Sequence, residues 1–264
     1  DVDVVAGDTD QFYWGAGTFA SRGAVVAGNA ANEAAAVVRK KILKTAADYF
    51  ECAQEDLVIA EGAVTLAGVP ERTVTLGVLA ELANPLRGAV SPGTEPGLEA
   101  TRYFGPERGA TAFGAHAMIV EVDPETMAVE IKRYVVVHDC GTVINPMIVE
   151  GQVHGGVAQG VGQALLEGCV YDGAGQLVTG SFMDYTMPRA DNVPSIDVGM
   201  TEVPSPLNPL GVKGCGEAGA IAAPAATINA VVDALWDMGV RSVPMPATAS
   251  NVWQSIQSAA QAAE

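Results

Sequence analysis

Between Val149 and Leu166 the chain is apolar enough to form a long helix, yet Gly155, Gly156, Gly160 and Gly162 interrupt it. Each glycine costs a helix interior roughly 1 kcal/mol relative to alanine, so four in one helix require a compensating gain. Close approach of another backbone, or of a ligand, supplies such a gain because no side chain stands in the way. Any fold adopted by this chain must therefore bring a second surface unusually near this helix.

The segments on either side alternate between helix and strand signals. Asn29 to Cys52 has few breakers, and Val37, Val38, Ile42, Leu43, Ala46, Tyr49 and Phe50 fall at helical spacing. Gln54 to Val69 predicts two short strands around Glu61-Gly62, and Thr75 to Leu82 a short helix. A Pro/Gly-rich connection covers 89–112. AHAMIVEVD and MAVEIKRYVVVHD then alternate apolar and polar residues around Pro124-Glu125, the pattern of paired strands, with Pro146 closing the second. GCVYDGAGQLVTG reads as a hairpin, DYTMPRADNVPSI as a loop and IDVGMTEV as a strand. Pro224 is expected near the start of the last helix, which runs to about Met238.

Composition excludes several functions. Lys+Arg 14 against Asp+Glu 31 gives a net charge of −17, which repels a phosphate backbone and argues against nucleic acid. Charged residues make up only 17%, below the roughly 25% of an average domain, as expected where a partner covers part of the surface. The apolar run 219–230 is interrupted by Pro224 and is too short for a membrane span. The first residue is Asp1, without a start Met, so the chain reads as a fragment or processed piece. Cys52, Cys140, Cys169 and Cys215 form no C-x-x-C pair, which argues against a structural zinc and for a reducing, cytoplasmic setting.

Gly211 to Gly219, GVKGCGEAG, contains a literal G-x-G-x-x-G at Gly214, Gly216 and Gly219. A nicotinamide-dinucleotide fingerprint needs a strand directly before it. The residues here, PSPLNPLGVK, include three prolines, and Glu217 stands where phosphate charge would sit. A carboxylate among glycines at a helix entry can approach a bound group closely and serve as a base; it can equally be a first-turn acid answering the helix dipole. Asp139, Asn145, Gln152, His154 and Gln159 are polar groups beside glycines, suited to hydrogen-bonding a polar heterocycle. His154 reads as a partly buried, satisfied histidine, and His116 and His138 as sheet residues. Ser21 and Arg22, among small residues before a helix, could hold an anion.

Together, GDTD (7–10), GAGTFASR (15–22), the segment 139–168, GSFMDYTMPRADNVPSI and GVKGCGEAGAIAAPAATINAVVDAL resemble, in this order, the C-terminal part of the molybdenum-binding large subunit of the xanthine dehydrogenase, aldehyde oxidase and carbon monoxide dehydrogenase family. The resemblance implies an α+β fold, a two-lobed molybdopterin-binding domain with mixed sheets and packed helices, divided into 1–105 and 106–264. It implies a molybdenum hydroxylase acting on an aldehyde, N-heterocycle or similar small substrate with water as oxygen source, and Glu217 as general base. Gln152 and Lys213 match positions on the pterin; Asp139, Cys140 and Gly141 match its dinucleotide end. Ser21, Arg22, Gly23, Ala24 and Val25 match another stretch lining the cofactor, to which Gly216 of the base's own motif is added. The helix glycines would then make room for the cofactor. The cofactor would be molybdenum on molybdopterin in the cytosine dinucleotide form, with FAD and 2Fe-2S clusters on partner subunits or domains and no metal ligand from this chain. The Gln-Gly-rich loop near the metal and the substrate-selecting loop are missing, so activity would need an N-terminal partner region. A non-catalytic assembly module of the same lineage and a nicotinamide-dependent dehydrogenase are the alternatives.

Overall fold

The computed structural model describes residues 2–15, 17–86, 90 and 94–262; of the connection expected over 89–112, residues 89 and 91–93 lie outside the described residues. The chain divides into two compact units, one formed by Asp1–Gly17 and Val26–Pro106, the other by Thr18–Val25 and Glu107–Glu264. The expected division assigned 18–25 to the first lobe; their contacts group them with the second.

In the first unit, helix α1 (Asn29–Phe50) packs on an antiparallel sheet of β1 (Leu57–Ala60), β2 (Ala63–Leu66) and β3 (Val69–Thr75), with α2 (Leu76–Leu82) beside it. Ile42, Leu43, Ala46 and Phe50, the apolar stripe of α1, meet Leu57, Val64, Val74 and Leu79 in its core. Glu61 and Gly62 both take positive φ, 48° and 75°, the geometry that matches the twist of a two-residue hairpin. Strand β3 was not expected, because Pro70 and a run of polar, exposed residues conceal it. Thr75 caps α2, its Oγ1 accepting from Val78 N at 3.4 Å.

The second unit is built on β4 (Phe113–Val122), β5 (Val129–Asp139) and β6 (Ile196–Thr201), in that order. The β4–β5 pair is antiparallel and β5–β6 parallel, so the sheet is mixed. Asp123 Oδ1 accepts from the N–H groups of Glu125 (2.7 Å) and Thr126 (3.0 Å) in the hairpin turn, and these bonds hold its carboxyl below the usual range. Helix α3 (Pro146–Leu165) makes the crossover between the parallel strands. It begins before Val149, and Pro146 opens it instead of ending the strand: proline at the first helical position lacks only an amide that would be unpaired anyway. Asn145, read as a ligand contact, is its cap and accepts from Ile148 N at 3.3 Å.

Helix α4 (Ala218–Ala234) lies against α3 over the core of Tyr134, Val136, Val153, Val157, Ala223 and Val231. Pro224 lies inside α4, not near its start, and a short 3-10 turn at Trp236–Met238 follows. A further helix, α5 (Ala249–Ala262), was not anticipated; Val252 and Ile256 anchor it, and Thr248 Oγ1 accepts from Asn251 N at its start.

The glycines of α3 answer the question that opened the sequence reading. A Cβ on Gly156 would lie 2.8 Å from Gly219 Cα, and one on Gly160 would lie 2.5 Å from Ala223 Cβ. A Cβ on Gly219 would meet Val153 O at 2.3 Å. Gly162 is closed off by Glu167 and Pro188. Of the four, only Gly155 has open space, so the reading of these glycines as room for a cofactor is corrected: three of them admit protein.

Gly219→Ala should therefore strain the helix contact and cost about 1–3 kcal/mol, seen as a lowered thermal midpoint. Gly151→Ala, in open space on α3, should be neutral or stabilising by up to about 1 kcal/mol.

Candidate functional site

The end of β5 meets the loop that leads into α4. Gly141 and Val212 form an isolated antiparallel bridge, and Lys213 N donates to Cys140 O at 2.7 Å. Gly141, at φ +69°, comes so near Gly211 that a Cβ there would lie 2.2 Å from the Gly211 carbonyl oxygen. Asn208, which the sequence reading missed, holds the loop: its Oδ1 accepts from Val212 N (3.1 Å) and its Nδ2 donates to Val212 O (2.9 Å). Its only sequence signal is its place between Pro206 and Pro209.

Across this junction Lys213 Nζ lies 3.2 Å from Asp139 Oδ2, both side chains 7% exposed. Burial alone would raise the Asp139 pKa, but the Gly141 N–H, the Lys213 ammonium and the Val203 N–H outweigh it and hold the carboxyl below its ordinary value. Asp139, Cys140 and Lys213 are thus turned inward. Burial pushes the thiols of Cys140 and Cys215 up, so both stay protonated. His116 Nδ1 bonds Tyr134 Oη at 2.8 Å, and burial followed by repulsion from His138 holds this ring below its ordinary pKa. His116 and His138 lie in β4 and β5. The Nε2 atoms of His138 and His154 are buried without a hydrogen-bond partner among the described residues, so His154 differs there from the satisfied histidine expected. His154 also lines an open cleft of about 510 Å³ with Gly155, Ala158, Pro188, Arg189 and Ile196.

Glu217 stands at the entry to α4 and its side chain caps nothing in its own helix. Instead Ser21 Oγ donates to Glu217 Oε2 at 2.6 Å and accepts from Glu217 N at 2.8 Å. Oε1 makes no hydrogen bond among the described residues, and the carboxylate is exposed. Gly216 brings the group together: its missing Cβ would lie 3.5 Å from both Gln152 Oε1 and Ser21 Oγ. Gln152 is exposed, its amide unbonded among the described residues. Arg22 is exposed, its guanidinium 3.7 Å from the Phe19 ring centroid and without an ion pair to a described residue.

The G-x-G-x-x-G glycines have other duties. Gly214 admits Ser21, whose Cβ would lie 2.9 Å from a Cβ there; Gly219 admits α3; and no β-strand runs into α4. The corner fits a polar, partly anionic heterocycle instead: an open amide at Gln152, bare backbone at Gly216, a cation at Arg22 and a carboxylate with one unengaged oxygen. Among the described residues no three His, Cys, Asp or Glu side chains are placed to hold a metal ion together. No helix is long and apolar enough to cross a membrane, among the described residues.

The elements make the chain an α+β protein with helices packed on a mixed sheet. Residues 1–194 match the molybdopterin cofactor-binding domain family, and the chain belongs to that family, in the molybdenum hydroxylase large-subunit lineage. It is 42% identical over 251 residues to the nicotine 6-hydroxylase large subunit of Paenarthrobacter nicotinovorans, covering 95% of this chain and 31% of that protein. It is 35% identical over 256 residues to the carbon monoxide dehydrogenase large chain of Hydrogenophaga pseudoflava, covering 97% and 32%. The crystal structure of quinoline 2-oxidoreductase from Pseudomonas putida 86 superposes with a TM-score of 0.82 at 44% identity, covering 92% of this chain and 31% of that one. The chain thus spans about a third of the length of these relatives.

Breaking the inner pair should be costly. Lys213→Met leaves the Asp139 carboxylate buried without its cation and should cost about 3–5 kcal/mol, partly recovered by adding Asp139→Asn. Because the folded pKa of Asp139 is depressed, its contribution is fully present above the unfolded pKa of about 4 and is lost as pH falls through the folded value. Acid unfolding of the double variant should accordingly show a shallower dependence in that window.

Proposed function

We propose that this chain forms part of the catalytic molybdenum subunit of a molybdenum hydroxylase that places an oxygen atom from water on an electron-poor carbon of a small substrate. The observation that carries the reading is the Glu217 carboxylate, tied at Oε2 to Ser21 and open at Oε1 beside Gly216 and Gln152. When bound, the molybdenum–pterin cofactor supplies Lewis acidity, oxygen transfer and two-electron redox capacity.

The chain's own residues divide the remaining work. Glu217 acts as general base, accepting a proton at Oε1. Gln152 and the bare backbone of Gly216 would hold the pterin edge, and Ser21, Arg22, Gly23, Ala24 and Val25 would line a second stretch of the cofactor, Arg22 facing its negative charge. Lys213 would lie along the pterin, and Asp139, Cys140 and Gly141 would face the dinucleotide end, which we assign to the cytosine form; the inward side chains of Asp139, Cys140 and Lys213 leave backbone as their contribution. Electrons would leave through 2Fe-2S clusters and FAD on partner subunits or domains, and the N-terminal region of the molybdenum subunit would complete the cradle. Four free cysteines suit a reducing, cytoplasmic compartment.

An N-heteroaromatic ring is the substrate class we favour over an aldehyde. Two relatives above 40% identity are named for nicotine and quinoline, whereas a carbon monoxide dehydrogenase lies at 35%.

In the assembled enzyme, Glu217→Gln should lower turnover of such a heterocycle by about 10²–10⁴-fold while metal analysis finds molybdenum unchanged. Retained turnover removes Glu217 from the chemistry. Absence of molybdenum and of released cytosine nucleotide from the wild-type assembly would point to a non-catalytic module.

A further inference from the structure

We propose that Ser21 is a positioning residue for the base, a role distinct from lining the cofactor, and that the loop around it is built to deliver one hydroxyl to Glu217. This inference rests on the reading of Glu217 as general base. A single oxygen makes both contacts: Ser21 Oγ donates its proton to Glu217 Oε2 at 2.6 Å and accepts from Glu217 N at 2.8 Å. The two bonds close a ring through the residue's own backbone, so the carboxylate is fixed relative to the first turn of α4. The hydroxyl also supplies the acceptor for the Glu217 amide at the helix entry.

The surroundings are arranged around that hydroxyl. Ala20 and Ser21 both hold left-handed backbone, φ 52° and 53°, a conformation that costs residues with a Cβ. Gly214 supplies the space, since a Cβ there would sit 2.9 Å from Ser21 Cβ and from its carbonyl oxygen. Two strained residues and one obligatory glycine thus serve a contact between positions 196 residues apart. A loop needed only to cover a ligand would require none of them.

The consequence for the base is specific. With Oε2 accepting the Ser21 O–H, Oε1 is the oxygen left unengaged among the described residues. The charged and titratable groups nearby are Arg22, next in the chain; His116, whose ring lies against the Ala218 backbone; and the Lys213–Asp139 pair, whose charges offset one another. All of them remain when the hydroxyl is removed.

The test uses the purified holoenzyme with its partner subunits. Ser21→Ala removes the hydroxyl and keeps the backbone strain; Ser21→Gly removes both and suits the positive φ, so it covers the case in which the alanine variant does not fold. Both should lower kcat at least tenfold with KM changed less than twofold and with molybdenum and pterin content unchanged. Amide hydrogen exchange at the entry to α4, read by peptide mass spectrometry, should become faster in both variants, because the Glu217 amide loses its partner. Added to Glu217→Gln, Ser21→Ala should bring no further loss. Unchanged kcat and unchanged exchange overturn the proposal, as does a full additional loss in the double variant, which would give Ser21 a role that does not pass through Glu217. If Glu217→Gln retains turnover while exchange still quickens in Ser21→Ala, the contact stands and the base reading has failed.

Discussion

The contact between α3 and α4 sets the rest of the second unit. At Gly156, Gly160 and Gly219 the two helices approach so closely that a single methyl group would collide with backbone or with Ala223. Packing at that distance is discrete, because interiors tolerate added volume poorly. Gln152 lies one turn before Gly156 on α3, and Glu217 lies two residues before Gly219 at the entry to α4. Fixing the glycines against the facing helix therefore fixes the amide and the carboxylate beside one another, without a direct bond between them.

A second constraint acts from behind. The strand that ends at Asp139 and the loop that reaches Lys213 are joined by a backbone bridge and a buried ion pair. Such a pair adds little net stability over apolar packing, but it specifies register: one residue of slip would strand a charge. Asn208 holds the loop on the other side through two bonds to Val212. The rigid path from β5 through Lys213 to Gly216 is what lets Glu217 stand exposed and still be located.

Much of this was legible before any coordinates. The alternation in AHAMIVEVD and MAVEIKRYVVVHD is the β4–β5 pair, the Ile42–Phe50 stripe is the buried face of α1, and Glu61-Gly62 is the hairpin turn expected of it. The α+β class with mixed sheets followed from the family resemblance, and the match to the molybdopterin cofactor-binding domain agrees with it. Strand β3 was hidden by Pro70 and by polar residues that never enter a core. Helix α5 was overlooked although Val252 and Ile256, one turn apart, form a clear apolar stripe on it. The glycines of α3 carried the right demand, close approach, but a sequence cannot say whether helix or ligand answers it. Glu217 could be singled out from GVKGCGE, whereas its tie to Ser21 could not, because no local pattern links residues so far apart and neither periodicity nor capping rules reach across the chain.

That tie has a kinetic side. Contacts between distant positions must overcome the entropy of closing a long loop before they return any stabilisation, so they form late. The amide of Glu217, just before α4, is bonded by a loop 196 residues earlier in the chain, so a partly folded chain in which the two segments have not met carries the acid without that alignment.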